Sequence, residues 1–233
     1  MATSRGITIA GCHLEAKRAT VLAMTMPGTP INPDRPDEAS RHVRPQEITR
    51  RMEEVMFEPT ILTLCTGNAA RSPIAEVMLK AGLPVANIHS AGTHVVEGQP
   101  VSWRTRLGLE VVRRDLSMKL NSHRSHQVNR NDVAGADLVL CMAGEHVAYM
   151  RREFPEFSGK VGSLHRMARD LPVGHLASLR DRIAEMDLAS KAIESWEDIV
   201  DPAGGDVEDF ARCAQTLDGL VSALVVRIVM MRL

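Results

Sequence analysis

Aromatic side chains are scarce, with four Phe, two Trp and one Tyr in 233 residues. That is too few for the base-stacking platforms of single-strand nucleic-acid binders. No excess of either charge exists: 28 Lys and Arg stand against 29 Asp and Glu. A sequence-independent grip on nucleic acid or on an anionic membrane surface is therefore not expected. Cysteine occurs four times, at 12, 65, 141 and 213, without a CxxC. This excludes a disulfide framework and fits a reducing, cytoplasmic setting. There is no HExxH and no Cys/His cluster, so neither a metal nor another cofactor is expected. No apolar run has the makings of a membrane span. The longest, "LDGLVSALVVRIVMMRL", is interrupted by Arg227 and Arg232. Its Leu217, Leu220, Val221, Leu224, Val225 and Ile228 recur at helical spacing, which describes a helix packing one face on a core. The early run "ITIAGC" is too short for a secretory leader.

What is present suits a globular core, with 44% hydrophobic and 24% charged residues. Residues 1–57 differ from the rest. Their stretch "MPGTPINPDRPDEASRHVRP" mixes proline and charge without periodicity, so a flexible, loosely attached N-terminal extension is expected. From 58 to 233 the sequence alternates strand and helix. "TILTLC" (60–65) is a short apolar run between Pro59 and Gly67, hence a buried strand. "SPIAEVMLKAG" (72–82) has helix start and stop signals. Further strands are expected at "NIHSAGT", "ADLVLCM" (136–142) and "GKVGSL" (159–164). Helices are expected at 101–114 and 144–154, with a helical insertion at 175–195 and a closing helix over 206–232. This order predicts an α/β, three-layer fold with a four-stranded parallel sheet flanked by helices. Ligands in such folds bind beyond the carboxyl ends of the strands.

That location holds "CTGNAARS". Cys65 ends the first strand and Arg71 opens the next helix. Between them, Thr66, Gly67, Asn68, Ala69 and Ala70 are small and carry no acid. Such a loop can curl its N–H groups inward, because Gly and Asn tolerate positive φ. The helix N-terminus adds unpaired donors, and the whole ring suits a tetrahedral oxyanion such as phosphate. The same field favours a thiolate, the nucleophilic form of Cys65. Arg71 can clamp two oxygens and neutralise charge as phosphorus becomes five-coordinate. Ser72 can donate its hydroxyl to the sulfur. The same spacing occurs in "CHLEAKR" (12–18), but that stretch has no glycine, a repelling glutamate and weak strand character before it.

The sequence "CTGNAARSPIAEVML" resembles the signature of the low-molecular-weight protein tyrosine phosphatases, a family related to thiol-dependent arsenate reductases. "HSAGT" (89–93), "SHRSHQV" (122–128), "ADLVLCM" (136–142) and "DPAGGDVEDF" (201–210) recur in the family's order, over roughly 58–230. The resemblance implies a phosphomonoester hydrolase working through a cysteinyl-phosphate. It implies Asp201 of "DP" as general acid, stiffened by Pro202, and later as the group that activates water. It also implies that Asn68 is held in a strained conformation by a network matching Ser90 and His123, with Ser72 supporting the loop. The substrate implied is a phosphorylated protein carrying phosphotyrosine, or a small aryl phosphate. Cys141 and Cys213 read as core thiols.

This chain departs from the family pattern in places. Ala70 replaces a cysteine that many members carry in the loop. Ala203 and Gly204 stand where aromatics usually follow the acid. Val95 and Val96 lie where another aromatic usually follows "SAGT", and Ala143 replaces an aspartate. Chemistry at phosphorus is expected to survive, with thinner walls around a phenyl ring; Trp103 is a candidate substitute wall. Two rival readings follow: an arsenate reductase using an external thiol, and a weakened phosphoprotein-binding module. The sequence does not fix the oligomeric state.

Overall fold

A computed structural model describes residues 58–173 and 178–229. The expected extension at 1–57, with its Cys12–Arg18 coincidence, lies outside the described residues. Among those described, four parallel strands form one sheet in the order β2-β1-β3-β4. They are β1 (Thr60–Cys65), β2 (Asn87–Gly92), β3 (Leu138–Cys141) and β4 (Val161–Ser163). Thr60 pairs with Asn87 and Cys65 with Gly92, while Leu64 pairs with Cys141. The strand carrying Cys65 is thus central, and all carboxyl ends emerge together.

The two-residue period of the strands builds two cores. Ile61 and Cys65 of β1, with Leu138 and Leu140 of β3, face one side. There they meet α1 (Arg71–Gly82) and the long α8 (Val207–Val229), through Ile74, Leu79, Leu217 and Leu224. Leu62 and Leu64, with Val139 and Cys141, face the other side. Val133 of α4 (Arg130–Gly135) and Val147 and Met150 of α5 (Gly144–Glu153) cover them. Strands buried on both faces read as unbroken apolar runs because neither face needs polar residues. Leu217 is fully buried, so truncating it to alanine would cost about 2–5 kcal/mol.

The remaining helices are α2 (Trp103–Val112), α3 (Arg114–Ser117), α6 (Leu164–Asp170) and α7 (Leu179–Glu185). Two expected helices differ in extent. The helix expected over 101–114 begins at Trp103, because Ser102 stays extended and its side chain accepts from Thr105 N. Among the described residues of the insertion expected over 175–195, the α-helix is Leu179–Glu185. There Ser178 and Asp181 form a capping box, a strong local start signal. Residues 174–177 are outside the described residues, and a short 3-10 turn at Ser195–Glu197 leads out of this region. Helices α3, α4 and α6 are too short for periodicity to announce them.

α2 lies hard against α8. A Cβ added at Gly108 would sit 2.6 Å from the Cβ of Phe210, so only glycine permits this approach without a shift. That packing brings the first turn of α2 beside the Cys65 loop. No described helix is long and apolar enough to cross a membrane.

Candidate active site

β1 ends at Cys65, 3% exposed, and the chain then curls through Thr66 to Ala70 into α1. Ala70 provides no side-chain cap for α1, leaving the first-turn N–H groups free of that competitor. Asn68 takes φ 49°, the left-handed conformation that an asparagine tolerates better than most residues. Three groups hold it there. Ser125 Oγ donates to the Asn68 carbonyl at 2.9 Å, and His123 Nε2 lies 2.8 Å from the same oxygen. The main-chain N–H of His126 donates to Asn68 Oδ1 at 2.9 Å. The amide nitrogen of Asn68 then donates to Ser72 Oγ at 3.0 Å.

Ser72 Oγ lies 3.0 Å from Cys65 Sγ and 3.3 Å from the Ala91 carbonyl. Asn68 occupies an acceptor site on this hydroxyl, and its one proton has two acceptors in reach, the Ala91 carbonyl and the Cys65 sulfur. On the other side of the loop, Arg71 is 4% exposed. Its Nη2 donates to Thr66 Oγ1 at 3.3 Å and to Asp201 Oδ2 at 2.5 Å, and its Nη1 donates to the Ile199 carbonyl at 3.2 Å. One guanidinium therefore touches both the Cys65 loop and the loop bearing Asp201. The second oxygen of Asp201 accepts from Ala203 N at 3.0 Å.

Expectation and structure agree on the gathering of Cys65, Asn68, Arg71, Ser72, His123 and Asp201. They part at Ser90. Its hydroxyl donates to Glu76 on α1 at 2.6 Å instead of gripping the loop. The hydroxyl on the Asn68 carbonyl belongs to Ser125, because β2 runs beside β1 and delivers Ser90 opposite Thr63, two residues short of the loop. Gly92 explains how β2 closes on the site. A Cβ there would come within 2.5 Å of the Thr66 carbonyl. Just beyond it, Thr93 N and His94 N donate to the carbonyls of Cys65 and Thr66, each at 2.9 Å.

Three further groups belong to the site and left no sequence signal. His146, 1% exposed near the start of α5, places Nε2 at 2.9 Å from Thr66 Oγ1. Burial, and then the charge of Arg71, pushes its pKa down to about 3, so it is a neutral group at ordinary pH. Its Nδ1 has no partner. A lone pair there costs less than an orphaned N–H, which favours Nε2–H donating to Thr66. Thr105 Oγ1 donates to the Ala69 carbonyl at 3.0 Å, tying α2 to the loop. The third group is the buried carboxylate of Glu197, which receives Arg166 at 2.5 and 3.1 Å and Ser163 at 2.5 Å. It anchors the segment leading to Asp201. Asp198 adds a bond from Gly144 N at 2.7 Å, and Ile199 N one to Met142 at 2.9 Å. Cys141 and Cys213 are core thiols, as expected. Burial pushes Cys213 up to about 12, which leaves it inert as a nucleophile.

His126 gives the site a pH dependence. Glu97 accepts at its Nδ1 (3.0 Å) and Asp132 at its Nε2 (2.9 Å). The bond to Glu97 raises its pKa, burial opposes this, and Asp132 adds to the rise. Only the imidazolium donates from both nitrogens. A raised native value means this stabilisation is complete below the ordinary 6.5 and is lost as pH rises through the native value. Thermal unfolding of wild type against His126→Gln should show a stability difference that shrinks with rising pH above about 6.5. A difference independent of pH would contradict this.

A thiol at a strand end, followed by a small-residue loop into a helix N-terminus, backed by a hydroxyl and with a guanidinium and a carboxyl group close by, has the make-up of a cysteine-dependent phosphoryl-binding site. Residues 60–177, half of the chain, match the family model described as low molecular weight phosphotyrosine protein phosphatase. The chain belongs to this family. It is 28% identical over 138 residues to a probable low molecular weight protein-tyrosine-phosphatase, EpsP, of Ralstonia nicotianae, covering 59% of this chain and 92% of that one. It is 27% identical over 165 residues to a protein-arginine-phosphatase of Geobacillus stearothermophilus, covering 70% and 92%. The solved YwlE arginine phosphatase of that organism superimposes with a TM-score of 0.56 at 27% identity, over 72% of this chain and 90% of that one. The low molecular weight protein tyrosine phosphatase of T. tengcongensis gives 0.56 at 26% identity, over 72% and 98%.

Proposed function

We propose that this chain hydrolyses phosphorylated protein side chains, phosphotyrosine first among them, through a cysteinyl-phosphate at Cys65. The observation that carries this reading is the shared guanidinium: Arg71 touches Thr66 of the loop and Asp201 of the acid segment at once. A phosphoryl group entering the ring of amides from Thr66 to Ser72 takes the fork of Arg71, which frees the Asp201 carboxyl for the leaving oxygen. Cys65 Sγ attacks phosphorus, the P–O bond to the side chain breaks, and protonated Asp201 gives its proton to the departing oxygen. The resulting carboxylate then takes a proton from water as that water attacks phosphorus. The S–P bond breaks, and Ser72 Oγ–H stabilises the thiolate that leaves. Asn68, Ser72 and His123 keep the ring in shape, and Ser125 completes that support in place of Ser90.

The chemistry needs no electrons, and the relatives carry phosphatase names, so hydrolysis is favoured over arsenate reduction and over a binding-only module. A nucleophile that must stay a thiol belongs in a reducing compartment, which supports a cytoplasmic location. Protein substrates suit a site whose rim is open: Val200 is 83% and Val96 69% exposed. Phosphoarginine is a second reading, motivated by the relative that matches 70% of this chain. Ala203 and Gly204 leave the mouth without an aromatic clamp that would single out a phenyl ring. Paired peptides differing only in phosphotyrosine or phosphoarginine decide this. The proposal expects hydrolysis of the phosphotyrosine peptide with a chelator present and inhibition by vanadate; turnover of the phosphoarginine peptide alone would replace it with the second reading.

A further inference from the structure

We infer that the exposed face of α2 is a docking surface for acidic, apolar segments of the substrate protein next to its phosphorylated residue. This rests on the reading of the site as a protein phosphatase. α2 buries Thr105, Gly108 and Leu109. On its opposite side Trp103, Leu107 and Val111, spaced four apart, are 55%, 42% and 72% exposed, and Met118 just beyond is 71% exposed. Three large apolar groups in line on the open side of one helix exceed the scattered exposure that a soluble surface shows without reason. Side chains at i, i+4 and i+8 line up along a helix, so these form a stripe, not a scatter.

The charges around the stripe choose the partner. Glu110 pairs with Arg114, and Asp115 with Arg113. Arg104, Arg106, Lys119 and Arg124 form no ion pair with a described carboxylate. The guanidinium of Arg104 lies 5.5 Å above the Trp103 ring, Arg106 bonds Asn121, and Arg124 bonds the carbonyls of Asn121 and His123. Four cations without an ion pair among the described residues, on a protein of net charge −1, make a local basic rim. An apolar stripe with a basic rim complements a segment that alternates apolar and acidic residues.

Its position links it to catalysis. The stripe starts in the turn whose Thr105 holds the Ala69 carbonyl. Ten residues of helix span about 15 Å. An extended peptide with its phosphoryl group in the Cys65 loop covers that length in about five residues. The surface thereby supplies the selectivity that the thinned pocket walls lack.

The test compares two phosphotyrosyl peptides, one with leucine and glutamate within five residues of the phosphotyrosine, the other with lysine for glutamate. The wild-type full chain should favour the acidic peptide in kcat/KM by about tenfold or more at low salt, with the preference shrinking as salt screens the rim. Leu107→Glu with Val111→Glu should abolish the preference and leave para-nitrophenyl phosphate turnover unchanged. Equal kcat/KM for both peptides, or a preference that survives the substitutions, overturns the docking surface while leaving the hydrolase reading intact. A sedimenting dimer that the substitutions dissociate also overturns it, by assigning the face to a second copy. If wild type does not turn over para-nitrophenyl phosphate, the hydrolase reading fails. Fluorescence anisotropy of the same peptides on the Cys65→Ser chain still reads docking separately.

Discussion

Cys65→Ser should lower para-nitrophenyl phosphate turnover by on the order of 10⁴-fold or more, while phosphate and vanadate still bind. The substitution is close to isosteric, and the site around it is built from main-chain groups and from Ser72, Asn68 and Arg71, none of which it removes. The fold should lose less than about 1 kcal/mol, so the unfolding midpoint should barely move. What is lost is reactivity: a hydroxyl in the same ring of amides is a far weaker nucleophile at neutral pH than a thiolate, and no base stands beside it to take its proton. Ser72 Oγ, at 3.0 Å, is a neutral hydroxyl that accepts from Asn68 and has the Ala91 carbonyl as an acceptor, so it cannot serve as that base. Stopped assays combined with phosphate binding by calorimetry separate the two effects. A Cys65→Ser protein that keeps a tenth of wild-type activity would remove the sulfur from the mechanism.

Asp201→Asn should show a loss graded by leaving group. Phenyl and alkyl phosphates expel a strongly basic oxygen and need the proton, so their kcat should fall by about 10²–10⁴-fold. Para-nitrophenolate leaves with little help, and its rate should fall much less. Asparagine preserves the shape of the side chain and a dipole toward Arg71 Nη2, so the Cys65 loop stays formed. The segment that carries Asp201 is itself anchored by buried Glu197. Three bonds from Arg166 and Ser163 converge on that carboxylate. Glu197→Gln should therefore copy the leaving-group signature of Asp201→Asn in weaker form. Breaking one partner of a buried ion pair costs about 3–5 kcal/mol, so its unfolding midpoint should be measured alongside. A uniform loss across leaving groups in both variants would place neither residue on the proton's path.

Much of this was legible in the sequence, for identifiable physical reasons. β1 and β3 are buried on both faces, and continuous apolar runs advertise that. The Cys65 loop is local: seven consecutive residues hold the thiol, the left-handed asparagine and the arginine together, so the spacing, with the small acid-free residues inside it and the apolar strand before it, displays it. α8 is long enough for its apolar period to stand out, and the observed helix ends at Val229 within the described residues. What escaped notice depends on distant pairing. Ser125 reaches Asn68 across 57 positions, and Thr105 reaches Ala69 across 36. His146 sits in a short helix with nothing in its neighbours to mark it. Ser90 misled because kinship assigns a role by alignment, whereas the register of β2 on β1 decides which hydroxyl arrives. The Glu197–Arg166 pair joins residues 31 positions apart, so nothing local marks it.

The apolar stripe on α2 has a related origin. Trp103 read as a possible pocket wall because it was a lone aromatic near the site. With Thr105, Gly108 and Leu109 turned inward, it becomes the first member of an outward row. The same helix thus supports the phosphate loop with one face and offers another to solvent.

The most direct measurement is a rapid acid quench of wild-type enzyme turning over an aryl phosphate, followed by peptide mass mapping. The account predicts a phosphoryl group on the peptide containing Cys65, present in wild type, enriched in Asp201→Asn and missing in Cys65→Ser. A phosphoryl group on any other side chain, or product release with Cys65 never modified, would contradict it.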